Sequence, residues 1–174
     1  MMKKIFYIIL LLTLSHSLSA QEKVETIEIP CDSSCIYINK LLKGEMPFFI
    51  KTDTVDKDIN LVNDELYYIT KNTEYKIDSY GESTSCLSKF TKLKYYNTNI
   101  YIILVCEFLV GYDYFIIVKE NPLEFFISET YDFGLNEEYH IIFETLDFKN
   151  KTLKILFSNS KGEQSIRFKE LIIK

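Results

Sequence analysis

Hydrophobic positions recur with two different periods along this chain. From Cys35 to Lys43, the apolar residues Cys35, Ile38, Leu41 and Leu42 recur at spacings of three and four, which places them on one face of a short helix. Ser33 or Ser34 caps its start, since a serine oxygen accepts a bond from a backbone N–H that the first helical turn leaves unpaired. Gly44 suits the left-handed residue that ends such a helix, and Pro47 prevents it from resuming. Beyond Pro47 the pattern becomes that of strands: FFIKT, LYYIT, EYKID, CLSKFTKLKYY, IYIILVCEFLV, YFIIV, LEFFIS, YHIIFETLDF, TLKILFS and SIRFKELIIK. These are runs of β-branched and aromatic residues bounded by turn formers. QEKVETIEI, residues 21–29, alternates imperfectly and reads as an extended lead-in that Pro30 interrupts. Repeated short strands without intervening helices predict a mainly β chain, an antiparallel β-sandwich or barrel-like domain with one short N-terminal helix.

LYYIT, IYIILV and YFIIV are apolar on both faces, which predicts central strands. KNKTLKILFS and SIRFKELIIK alternate and are expected to keep one face in water. The stretch Ile59 to Ile69 fits a helix as well as a strand. No linker divides residues 21–174, which read as a single domain.

The first twenty residues, MMKKIFYIILLLTLSHSLSA, have a different organisation. Lys3 and Lys4 precede an apolar run, and small residues from Ser15 to Ala20 follow it, the three-part layout of a secretory signal peptide. The apolar run is shorter than the roughly 20 residues a bilayer span requires. Cleavage after Ala20, or at a neighbouring serine, would release a periplasmic or secreted protein with no later membrane span. Without Lys3 and Lys4, 18 Lys and Arg face 25 Asp and Glu, so the mature charge is about −7. That charge offers no footprint for a phosphate backbone, and nucleic acid is not an expected partner.

Export gives the four mature cysteines a meaning, because an even count in an oxidising compartment favours disulfides. Cys31 and Cys35 enclose three residues, one more than the thioredoxin-type pair. With His140 they would make a donor set suited to copper, but the β-rich pattern is not the fold that goes with such a site. A local Cys31–Cys35 staple at the start of the helix is expected instead, with no cofactor. Cys86 and Cys106 face each other across a hairpin only if its turn is centred near Tyr96. Asn97-Thr98-Asn99 is the better turn sequence, and a turn centred on Thr98 staggers the two cysteines by about four residues, roughly 13 Å. Such a distance is too long to bridge, unless a bulge or longer loop restores the register. Otherwise Cys106 is a buried thiol.

Signals for catalysis are few. His16 lies in the leader, leaving His140 as the one mature histidine, and no HExxH, G-x-S-x-G or Gly-rich phosphate loop is present. Glu138, His140, Ile142 and Glu144 would share one face of a strand, an arrangement read as an ordinary solvated face. A paired-carboxylate glycosidase would need aromatic platforms, and Trp is absent. The tyrosine runs at 67–68, 95–96 and 112–114 are the substitutes, and Tyr95, Tyr96, Tyr112 and Asp113 are the expected exposed binding residues. Taken together, these features suggest an exported, non-enzymatic binding protein of inhibitor or immunity type, capturing a basic protein partner. The alternatives are a carboxylate-dependent hydrolase of an envelope polymer and a structural accessory of the envelope.

Overall fold

A computed structural model describes residues 21–29, 35–43, 46–56, 61–81, 85–95, 97–107, 112–131, 141–157 and 162–173. It is mainly β, as the residue pattern predicts. The elements are β1 (Gln21–Glu28), α1 (Cys35–Leu42), β2 (Phe48–Asp56), β3 (Leu61–Ile69), β4 (Glu74–Gly81), β5 (Ser85–Tyr95), β6 (Thr98–Glu107), β7 (Tyr112–Lys119), β8 (Glu124–Ser128), β9 (Ile141–Asp147), β10 (Thr152–Phe157) and β11 (Glu163–Glu170). All strand pairs are antiparallel. Eight strands form one curled sheet in the order β1-β5-β6-β7-β8-β11-β10-β9, and β2-β3-β4 form a second, smaller sheet, a sandwich or half-barrel arrangement. The ambiguous stretch before Ile69 is strand from Leu61 onward.

The curl explains why β6 and β7 lack polar alternation. One face, through Tyr101, Ile103, Val105, Ile116 and Val118, packs against α1 and the small sheet. The opposite face, through Ile100, Ile102, Leu104, Phe115 and Ile117, packs against Leu153, Ile155, Ile166 and Phe168 as the sheet folds back on itself. With both faces dry, every position must be apolar. β10 and β11 have a single dry face and alternate accordingly: Leu153, Ile155 and Ile166 are buried, while Lys154, Ser165 and Arg167 are exposed. LYYIT departs from the expectation, because only Leu66 and Tyr68 are buried and Ile69 is 38% exposed. β3 is central in its sheet, but nothing among the described residues covers its second face.

α1 buries Ile38 and Leu42 and half-buries Leu41, the face its spacing predicts. Asn39 on its flank makes a paired contact with strand β2: its Nδ2 donates to the Ile50 carbonyl at 2.8 Å and its Oδ1 accepts from the Ile50 N–H at 2.7 Å. One side chain thus satisfies both backbone groups of Ile50 on an edge strand that would otherwise invite another chain.

The β5–β6 hairpin corrects the expected turn. Tyr95 pairs with Thr98, so the turn is centred between Tyr96 and Asn97 and not on Thr98. The register then slips by one residue between Leu87 and Lys89, bringing Cys86 opposite Cys106. Burial accounts for both features. Phe90 must meet Ile103 to reach the inter-sheet core, where it lies 5.5 Å from Phe48, and an even register would turn it to the other face. Leu87, three residues earlier, is buried in the same core. Residues three apart on a strand share a face only if one residue between them bulges. The carbonyl of Ser88 in this bulge is satisfied by the Ile29 N–H at 2.8 Å.

Candidate functional site

The small sheet is built on two aromatic dipeptides. Phe48-Phe49 on β2 faces Tyr67-Tyr68 on β3, with Phe48 opposite Tyr68 and Phe49 opposite Tyr67. Successive side chains on a strand point to opposite faces, so each dipeptide contributes one ring to the core and one to the outside. The inner pair is edge-to-face at 5.2 Å, and Phe48 also meets Tyr101 at 5.3 Å where the two sheets join. The outer pair, Phe49 and Tyr67, is stacked at 5.0 Å with 18° between the rings.

Charges frame this outer pair. Lys51 Nζ sits 4.3 Å from the Tyr67 ring centre and 5.1 Å from that of Phe49, a cation–π arrangement. The same ammonium pairs with Glu74 at 2.8 Å, which raises its pKa above the ordinary lysine value. Glu65 takes bonds from Lys76 and from the Tyr67 hydroxyl, the latter at 2.7 Å. The Lys76 bond is the main reason its carboxyl titrates below the usual range, and the Tyr67 hydroxyl is correspondingly raised. These contacts orient the two rings as a fixed, half-buried platform. The same two strands also carry Asp53, Asp56, Asp64 and Glu65 against Lys51.

Two other carboxylates stitch the sheets together. Glu120, just past β7, accepts bonds from Tyr68 at 2.5 Å, Asn99 at 2.7 Å and Tyr101 at 3.4 Å. Burial, followed by the bond to Glu120, raises the pKa of the Tyr68 hydroxyl strongly; Tyr101 is raised by burial and then by the Glu120 charge. At the other end of β7, the Tyr114 hydroxyl donates to Asp78 Oδ2 at 2.6 Å, and the Ser79 N–H donates to Oδ1 at 2.9 Å. Burial outweighs these bonds and pushes the Asp78 carboxyl above its ordinary value. On the large sheet the anchored positions, Tyr114 and Glu120, are six residues apart along the chain, roughly 20 Å at strand rise. Glu120 and Asp78 thus serve as tethers between the two sheets.

The expected binding residues are dispersed. Tyr112 is 46% exposed at the start of β7, and Asp113 beside it is half-buried and bridges to Tyr131 through two backbone bonds of 2.7 Å. Tyr95 lies at the hairpin end of β5, at the opposite end of the sheet from Tyr112, and Tyr96 lies outside the described residues. Cys31, Glu138 and His140 also lie outside them. Cys35 begins α1, the backbone register sets Cys86 opposite Cys106, and Cys106 has a free thiol, half-buried beside the second core. Among the described residues no group of three or more His, Cys, Asp or Glu could hold a metal ion.

Residue pattern alone did not single out Phe49 and Lys51, although the tyrosine run at 67–68 was one of the three noted. The usable signal was the facing pair of aromatic dipeptides in FFIKT and LYYIT, since a two-residue aromatic run on a strand must send one ring outward unless both faces are dry. Comparisons of this chain with protein-family models, curated proteins and solved structures find no match.

Proposed function

We propose that this chain is an exported, non-enzymatic binding protein that captures a basic protein partner in the periplasm, in the manner of an inhibitor or immunity protein. The observation that carries this reading is the outer face of the small sheet, where the stacked Phe49–Tyr67 platform lies on strands that also carry Asp53, Asp56, Asp64 and Glu65. Aromatic residues held rigid before binding supply contact area with little loss of side-chain entropy, which is why interfaces favour them. The acids of these strands contribute steering and selectivity toward basic surfaces. The leader-like first twenty residues supply the compartment, and the mature charge of about −7 supplies the sign of the partner.

The test uses purified basic lytic enzymes and nucleases as probes, with acidic proteins of similar size as controls, in calorimetry at about 50 and 300 mM salt. Saturable binding to a basic probe is expected, weakened at least tenfold by Phe49→Ala with Tyr67→Ala and reduced at the higher salt. Retention of full affinity by the double variant would sink the platform, and failure of every basic probe to bind would sink the reading as a whole. Fractionation of a tagged full chain checks the compartment: recovery of an uncleaved protein from the cytoplasm would contradict export.

A further inference from the structure

We propose that Cys86 and Cys106 are a cross-strand dithiol that a small-molecule or protein disulfide oxidises to a bridge, clasping β5 to β6 at the end remote from their turn. The backbone places the two residues as direct partners in the ladder. Opposed residues of an antiparallel pair have α-carbons about 4.5–5.5 Å apart, and disulfides span about 4.4–6.8 Å. The register therefore places the pair within the α-carbon range that a bridge requires.

The juxtaposition depends on the slipped register. Continued without the bulge, the pairing from Tyr95–Thr98 would set Leu87, and not Cys86, against Cys106. Leu87 is instead buried in the inter-sheet core, and the slip that takes it there delivers Cys86 to its partner. The Cys106 thiol is free and only half-buried, at the margin of the second core, so an oxidant can reach it. Two cysteines in one sheet, on adjacent strands and at one ladder position, meet the geometric requirement that a single thiol cannot.

The step balances as an ordinary exchange. A Cys106 thiolate attacks one sulfur of the oxidant and expels one thiol, giving a mixed disulfide. The Cys86 thiolate then attacks the Cys106 sulfur and expels the second thiol. The protein gives up two protons and two electrons, and the oxidant leaves as two thiols. Closed, the bridge would reinforce a lateral row in which Cys106 pairs with Asp113 and Asp113 with Tyr131, directly beside the exposed Tyr112. The inference is independent of the binding reading, because its readout is covalent.

The experiment incubates the native full chain in oxidised and in reduced glutathione, then alkylates it and analyses intact mass, cysteine-linked peptides and melting temperature. Oxidation is expected to remove about 2 Da for this bridge, yield a peptide joining Cys86 to Cys106, and raise Tm by about 5–15 °C over the reduced form. Cys106→Ser should abolish the linked peptide and its share of the Tm shift, whereas Cys31→Ser with Cys35→Ser should leave both. If the serine variant does not fold, the wild-type peptide map decides alone. Recovery of Cys86 and Cys106 as alkylated thiols after oxidation, as glutathione adducts, or linked to Cys31 or Cys35 would overturn the clasp.

Discussion

Strands β3 and β6 look alike as sequence and behave differently in the fold. Both are central, and LYYI in β3 and IYIILV in β6 both read as continuous apolar runs. β6 is covered on both sides, with Ile102 and Ile103 on opposite faces and each almost wholly inaccessible. Among the described residues β3 is covered on one side only: Leu66 and Tyr68 are buried, while Tyr67 and Ile69 face outward. The residues on the second face differ in kind. In β6 they are the aliphatics Ile100, Ile102 and Leu104, which have no polar atom to present to water. In β3 they are an acid, a tyrosine and an isoleucine, and the tyrosine hydroxyl is bonded to Glu65. A run that is apolar by count thus divides into a face that requires cover and a face that tolerates water, and the second has the properties of a recognition surface.

The sharpest way to break this comparison is to hollow out the doubly covered strands. Phe115→Ala on β7 removes a large ring from the second core and should cost about 3–5 kcal/mol, lowering Tm by roughly 10 °C or more in thermal melts. A loss below about 1 kcal/mol would mean that the fold-back of the sheet contributes little to stability.

Next in size is the joint between the sheets. Tyr68→Phe removes the hydroxyl bonded to Glu120 and should cost about 1–3 kcal/mol at pH 7. Its pH dependence has a definite sign. The folded-state pKa of both Tyr68 and Tyr101 lies above the ordinary value of 10.0, so folding favours the protonated phenol. Stability from these groups is fully present below pH 10 and is lost as pH rises beyond it. Chemical denaturation between pH 8 and 11 should show this decline, and Tyr68→Phe should make it shallower. An unchanged slope would remove Tyr68 as its source.

The smallest effect is expected on the open face. Phe49→Ala with Tyr67→Ala should shift Tm by no more than about 3 °C, because both rings remain partly hydrated in the folded state. A drop comparable to that of Phe115→Ala would show the outer pair to be a structural element and would weaken its assignment as a binding platform.

Much of the architecture was legible before folding. Period-two runs identified the strands because the face a residue takes depends only on its immediate neighbours along the chain. The helix was legible for the same reason, through Ile38, Leu41 and Leu42. The hairpin turn was misplaced because Asn97-Thr98-Asn99 is favourable turn chemistry locally, whereas the position of the turn answered to Phe90, which has to meet Phe48 in the other sheet. Tyr95, Tyr112 and Asp113 are expected together as exposed binding residues, yet the length of β6 separates the first from the other two. A local pattern can place a tyrosine at the end of a strand, but it carries no information about which end of the sheet that becomes.

By itself, then, the sequence determined the strands, the helix and the acidic charge, all of which are properties of short stretches or of simple sums. Tertiary structure alone decided which apolar faces were covered, where β5 slipped against β6, and that Cys86 came to stand opposite Cys106. Covering a face and setting a register both depend on residues distant in the chain: Leu87 and Phe90 can enter one core only through a bulge, and nothing adjacent to them shows that the core will be there.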